Sequence, residues 1–128
     1  MTGQEPPGSL GDLRELLDAY LDHYRDVVLR KLDGLPEEEL RHSRVPSGWT
    51  PLGLLVHLTW VERRWLVWGR KIISGVPAAQ RAALGGRFAT PAEAPTLGWI
   101  LFHLLQEYAR HAGHLDISRE LTDGTVGE

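Results

Sequence analysis

The chain has 128 residues, 42% of them hydrophobic and 24% charged, which fits one soluble globular domain large enough to bury a core. Its 14 basic and 17 acidic residues leave a formal charge of −3, so it has no basic footprint for nucleic acid. No run approaches the roughly 18 apolar residues of a membrane span, and the absence of cysteine excludes disulfides, zinc–cysteine sites and a cysteine nucleophile.

Residues 1–8 are polar, include Pro6 and Pro7, and lack a signal peptide's apolar stretch. We expect a disordered lead there, a single domain over 9–124, a tail over 125–128 and a cytoplasmic location. Ser9 reads as a helix N-cap with Asp12 three residues on, an imperfect capping box. Leu13, Leu16, Leu17, Tyr20, Tyr24, Val27, Val28 and Leu32 then recur at helical spacing, and Asp33-Gly34-Leu35-Pro36 ends that helix. A short acidic turn of helix, Glu37 to Arg41, leads into a link rich in Ser, Pro and Gly.

Thr50-Pro51 is a clear second start, a threonine cap followed by proline at the first helical position. The pattern predicts a helix to about Ile73, stopped by Ser74-Gly75-Val76-Pro77, with an apolar stripe of Leu54, Leu58, Val61, Trp65, Trp68 and Ile72. His57 falls inside that stripe on a helical wheel. Residues 75–95 are rich in glycine and proline, hold only a short alanine-rich piece from Ala78 to Leu84, and read as an irregular crossover. Thr96 caps a last long helix from about Leu97 to Leu121, closed by Thr122-Asp123-Gly124. No useful period-two alternation occurs, so the fold class is all-α.

The last helix carries the chemistry. Glu107 and His111 are four apart, with His103 four before and His114 three after, among the core-type residues Ile100, Leu104, Tyr108 and Leu115. A carboxylate and an imidazole on a core face cost several kcal/mol unless paired. His57 on the second helix projects into the same core, and bundle metal sites are built from facing helices in this way. Two histidines and one carboxylate suit catalytic zinc, and nickel, iron or cobalt as well. A hydrogen-bonded polar network satisfies the same groups without metal, and both readings stand. His103 and His114 lie toward the edge of the face as supporting groups, with His114 the better extra ligand.

Trp65 and Trp68 follow the core stripe, and Trp49 precedes the Thr50 cap where a hydrophobic staple belongs. Arg63, Arg64 and Arg110 read as solvated, and His23 and His42 fall on polar faces or links without a role. No nucleotide-binding loop or serine-hydrolase elbow occurs.

Two segments resemble a known family. They are Gly48-Trp49-Thr50-Pro51-Leu52-Gly53-Leu54-Leu55-Val56-His57-Leu58, with Glu62 to Trp65 behind it, and Trp99 to His103 through Glu107-Tyr108-Ala109-Arg110-His111-Ala112-Gly113-His114-Leu115-Asp116. They resemble the DinB-like metal-binding bundles, in the branch similar to mycothiol-dependent maleylpyruvate isomerase. The resemblance implies an up-down-down-up helical bundle, here with the third long helix abbreviated over 75–95. It also implies a divalent metal, zinc first, on His57, Glu107 and His111. It further implies a low-molecular-weight thiol of the mycothiol type acting on an electrophile by S-transfer or isomerisation, with the metal favouring the thiolate. The competing expectation is a non-catalytic helical module that works as a homodimer through surface the short third helix leaves uncovered.

Overall fold

The computed structural model describes residues 4–65, 75–82 and 89–126. Within them lie four helices: α1 (Leu13–Leu32), α2 (Glu37–Leu40), α3 (Pro51–Trp65) and α4 (Leu97–Asp123). The described residues hold no strand, only an isolated antiparallel bridge between Arg81 and Thr96. The fold is an all-α bundle. None of the described helices is long and apolar enough to cross a membrane.

Asp12, not Ser9, caps α1. Its Oδ1 accepts from the N–H groups of Arg14 at 3.0 Å and Glu15 at 2.9 Å. A carboxylate there satisfies two orphan donors and meets the positive end of the helix dipole, which a serine hydroxyl does less well. Ser9 instead lies within a turn in which the Leu10 N–H donates to the Pro7 carbonyl at 3.0 Å.

Thr50 behaves as its sequence predicts: its hydroxyl accepts from the Gly53 N–H at 3.0 Å, and Pro51 at the first position has no N–H to satisfy. At α4 all three leading donors are met. Leu97 and Gly98 donate to the carbonyls of Gln80 and Ala78, each at 2.8 Å, and Trp99 donates to the Thr96 hydroxyl at 3.2 Å. Gly98 suits that close approach, because a Cβ there would stand a tight 3.3 Å from the Ala78 oxygen. The crossover is thus stitched onto the start of α4. α4 runs two residues past its expected end, to Asp123, where Gly124 takes the left-handed conformation (φ 74°) and closes it.

Helix directions follow from side-chain partners. Arg119 near the end of α4 donates to the carbonyls of Lys31 and Asp33 at the end of α1, so those two helices run the same way. Trp65 at the end of α3 packs on Trp99 near the start of α4, so α3 runs opposite. Leu21 and Val28 of α1, Leu58 of α3, and Leu101, Leu104 and Leu115 of α4 form the nearly inaccessible centre between them.

Several stripe assignments shift. Leu13 is exposed, whereas Leu21 and Lys31 are buried. His23, expected on a polar face, is buried with its ring edge-on to Tyr20 and Tyr24. Among the described residues from 75 to 95 no helix occurs, in keeping with an abbreviated third helix. The expected continuation of the second helix to Ile73, with Trp68 and Ile72, lies outside the described residues. So does the end of the alanine-rich piece, whose start at Ala78 is a turn.

Candidate metal centre

Helical spacing lays His103, Glu107, His111 and His114 along one side of α4. Antiparallel α3 brings His57 against the middle of that row. Nε2 of His57 and Nε2 of His111 face the same oxygen, Oε2 of Glu107, at 3.1 and 3.3 Å. One ligand-type atom from each of the three residues lies within 4.8 Å of the others, and among the described residues this is the one such group of histidines and carboxylates. Zinc bonds of about 2.0–2.1 Å at tetrahedral angles set neighbouring donors roughly 3.3 Å apart. Both distances to Glu107 match that spacing, so the donor set fits a divalent ion.

The cluster is shallower than its apolar sequence neighbours suggest. The side chain of His111 is 14% exposed, that of Glu107 24% and that of His57 46%. Position 57 lies at the rim of the α3 stripe, one step from the buried Leu54 and Leu58, and not inside it. The α3 side is therefore the open side, where a small molecule could reach the three residues.

Charge states are set by the neighbours. Burial pushes the Glu107 carboxyl up, but the hydrogen bond from His57 and the positive character of His57, His111 and His103 outweigh it, so the pKa falls below its ordinary value. Burial pushes His111 down, helped by His57, His114 and Arg110 and opposed by Glu107, and the net direction is down. An ionised carboxylate beside a neutral imidazole is the pair a cation needs.

The two flanking histidines differ in role. Nδ1 of His114 lies 3.1 Å from Nδ1 of His111, so one ring donates to the other. His114 in turn packs on Trp49, whose ring centroid is 5.5 Å away. Trp49 also packs against the core cluster that includes Leu54. Nε2 of His103 is 3.7 Å from Oε1 of Glu107, an ion-pair separation rather than a hydrogen bond. The His103 ring stacks on Trp99 at 5.0 Å and 7°, with Trp65 edge-on at 5.5 Å. The Trp99–His103 stack was not anticipated, although their spacing of four on one helix is its signal.

A second polar cluster sits where the three long helices meet. Arg25 of α1 binds Asp22 and reaches Glu62 of α3, and its guanidinium lies 5.8 Å over the ring of Tyr108 on α4. Burial pushes the Tyr108 hydroxyl up, the Glu62 carboxylate adds to that, and Arg25 opposes it. This contact ties α3 to α1 one residue from Glu107. Arg63, Arg64 and Arg110 are exposed as expected, and His42 is exposed in its link.

A family model for mycothiol-S-transferase matches the chain in two segments, residues 16–71 and 68–124. The chain belongs to the mycothiol-S-transferase family. Neither the curated proteins nor the solved structures gave a significant match. Membership in the mycothiol-S-transferase family agrees with the DinB-like resemblance and associates the chain with mycothiol-related, thiol-transferase-like function. The first matched segment contains His57 and the second contains Glu107 and His111.

Proposed function

We propose that the chain holds one divalent metal ion on His57, Glu107 and His111, and transfers a low-molecular-weight thiol of the mycothiol type to an electrophile. The observation that carries this reading is the convergence of both imidazole Nε2 atoms on one Glu107 oxygen, at 3.1 and 3.3 Å, from two helices of a mycothiol-S-transferase family member. Zinc suits two imidazoles and a carboxylate best, with nickel, iron or cobalt as chemical alternatives. A divalent ion held there supplies Lewis acidity that lowers a thiol's pKa and favours the nucleophilic thiolate. The chain has no cysteine of its own to compete for that role.

The protein residues have separate tasks. Glu107 contributes the negative charge, and His57 closes the cluster from α3. His111 offers Nε2 while its Nδ1 faces His114. His103 faces the other Glu107 oxygen and limits how that carboxylate can turn. Neither His103 nor His114 is needed as a direct ligand.

Elemental analysis of the purified protein tests the site. Close to one divalent metal per chain is expected, lost in His57→Ala and in Glu107→Ala. Metal below about a tenth per chain after reconstitution with zinc would sink the site, since a three-residue protein shell of this kind holds zinc firmly. A metal-loaded protein that transfers mycothiol to no electrophile faster than His57→Ala would leave the alternative, a non-catalytic helical module acting as a homodimer. The exposed side chains of Val56, Trp60, Trp99 and Phe102 are what favours that second reading.

A further inference from the structure

Beside the candidate metal centre, Trp99, Phe102, His103 and Gln106 line an open-sided pocket of about 310 Å³ on the first half of α4. One residue joins the two places: His103 forms a wall of the pocket and has Nε2 3.7 Å from Oε1 of Glu107. Phe102 is 65% exposed and Trp99 45%, so two large aromatic side chains meet water here. Trp99 is nonetheless held in place, stacked on His103 and met edge-on by Trp65 at 5.6 Å. A fixed aromatic wall with one amide and one imidazole on its rim selects planar apolar molecules by stacking and orients them by hydrogen bonding. Small-molecule sites span roughly 300–1,000 Å³. This pocket is at the small end, with room for one substituted ring rather than for a large thiol conjugate.

We propose that this pocket holds the electrophilic cosubstrate, and that the electrophile is a substituted aromatic ring. The inference rests on the thiol-transfer reading and adds the substrate class and its place. A ring stacked there lies against His103 and next to Glu107, within reach of a thiol held at the metal centre. With 1-chloro-2,4-dinitrobenzene as the acceptor, the thiolate sulfur bonds to the ring carbon that carries chlorine. The C–Cl bond breaks, chloride leaves with its electron pair, and the thiol proton has already passed to solvent.

The first test needs neither metal nor turnover. Metal-free, nitrogen-15-labelled protein is titrated with 2,4-dinitrotoluene, an unreactive ring of the same class, and the Trp99 indole N–H is followed by NMR. A saturable shift is expected, with affinity about tenfold weaker in Phe102→Ser through loss of one aromatic contact. No saturable shift at Trp99, or a shift that Phe102→Ser leaves alone, overturns the proposal. The second test compares two acceptors, 1-chloro-2,4-dinitrobenzene and iodoacetamide, with mycothiol and zinc-loaded protein. In Phe102→Ser the ratio of their kcat/KM values should fall about tenfold, through KM for the ring.

Equal loss with both acceptors overturns the pocket assignment and leaves thiol transfer standing. No turnover with either acceptor, beside intact ring binding at Trp99, overturns the thiol-transfer reading and the cosubstrate role with it. If the wild type is a dimer that Phe102→Ser dissociates, the two aromatics are a self-interface and the proposal fails.

Discussion

Nε2 of His57 stands 3.1 Å from Oε2 of Glu107, across a sequence separation of 50 residues and from an antiparallel helix. That contact makes a shared site out of two helix surfaces. His111, four residues after Glu107, needs only the helix to reach the same oxygen. His57 needs the packing of α3 on α4, and so reports whether the bundle is assembled.

Adjacent residues on α3 should therefore separate binding from stability. The His57 side chain is 46% exposed, so His57→Ala should change the stability of the metal-free domain by less than about 0.5 kcal/mol. It should abolish stoichiometric metal binding. Leu58 is fully buried, and Leu58→Ala should cost about 2–5 kcal/mol through a cavity under the site. Urea denaturation alongside metal analysis checks both, and a large stability loss in His57→Ala would contradict its rim position.

The charge states give a pH dependence with a definite sign. His111 is held below its ordinary value of 6.5, so the folded domain keeps it neutral while the unfolded chain binds a proton. Stability is thus lost as pH falls from about 6.5 toward the folded value. Glu107 is held below its ordinary 4.5, so its contribution is present above 4.5 and is lost as pH falls through its folded value. The Tm of metal-free protein should be level above about pH 7, decline from pH 6.5 and decline further below 4.5. In His111→Gln the first decline should shrink. A rising Tm between pH 7 and 5.5 would show the opposite linkage for His111.

Much of this was legible in the residues. Thr50-Pro51 and Thr96 mark two helix starts because capping is local chemistry, decided within four residues. The Glu107–His111 pair is legible for the same reason. Ser9 and Asp12 illustrate the limit, since both are capping types and the competition between them depends on charge at the helix dipole. The rim position of His57 was not legible, because a wheel orders residues around an axis but does not say where the neighbouring helix stops covering them. Lys31 and Asp116 escaped notice for a related reason: a buried lysine is readable only once its partner from another helix is known. The opposition of His57 to Glu107 is inferred from two apolar stripes that share one core, and the family resemblance selects the same three residues.

Lys31 supplies its own prediction. Its side chain is 8% exposed on α1, with Nζ 2.6 Å from Oδ1 of Asp116 on α4. Removing one partner of a fully buried pair costs about 3–5 kcal/mol, but the Asp116 side chain is 38% exposed and solvent screens part of that. Asp116→Ala should therefore cost about 1–2 kcal/mol by urea denaturation, with metal content unchanged. Lys31→Met keeps most of the buried stem and should cost less than Asp116→Ala. The reverse order would mean that packing around the lysine head, not the charge pair, dominates.

His114 tests how the site is oriented. Its Nδ1 is 3.1 Å from Nδ1 of His111, and the two nitrogens share one proton. For Nε2 of His111 to offer its lone pair to a metal ion, the ring proton must sit on Nδ1, which then donates to His114. Removing that acceptor frees the ring to rotate and to take the wrong tautomer. His114→Ala should weaken zinc binding by about 10–100-fold, the usual effect of losing a hydrogen-bond partner of a ligand histidine. The side chain also packs on Trp49, so loss of bulk must be separated from loss of the acceptor. His114→Phe keeps the aromatic contact without an acceptor and should be nearly as weak as His114→Ala. His114→Asn supplies an acceptor with less bulk and should recover part of the affinity. Chelator competition at fixed pH reads all three, and wild-type affinity in His114→Phe would show that packing on Trp49, and not the hydrogen bond, holds His111 in place.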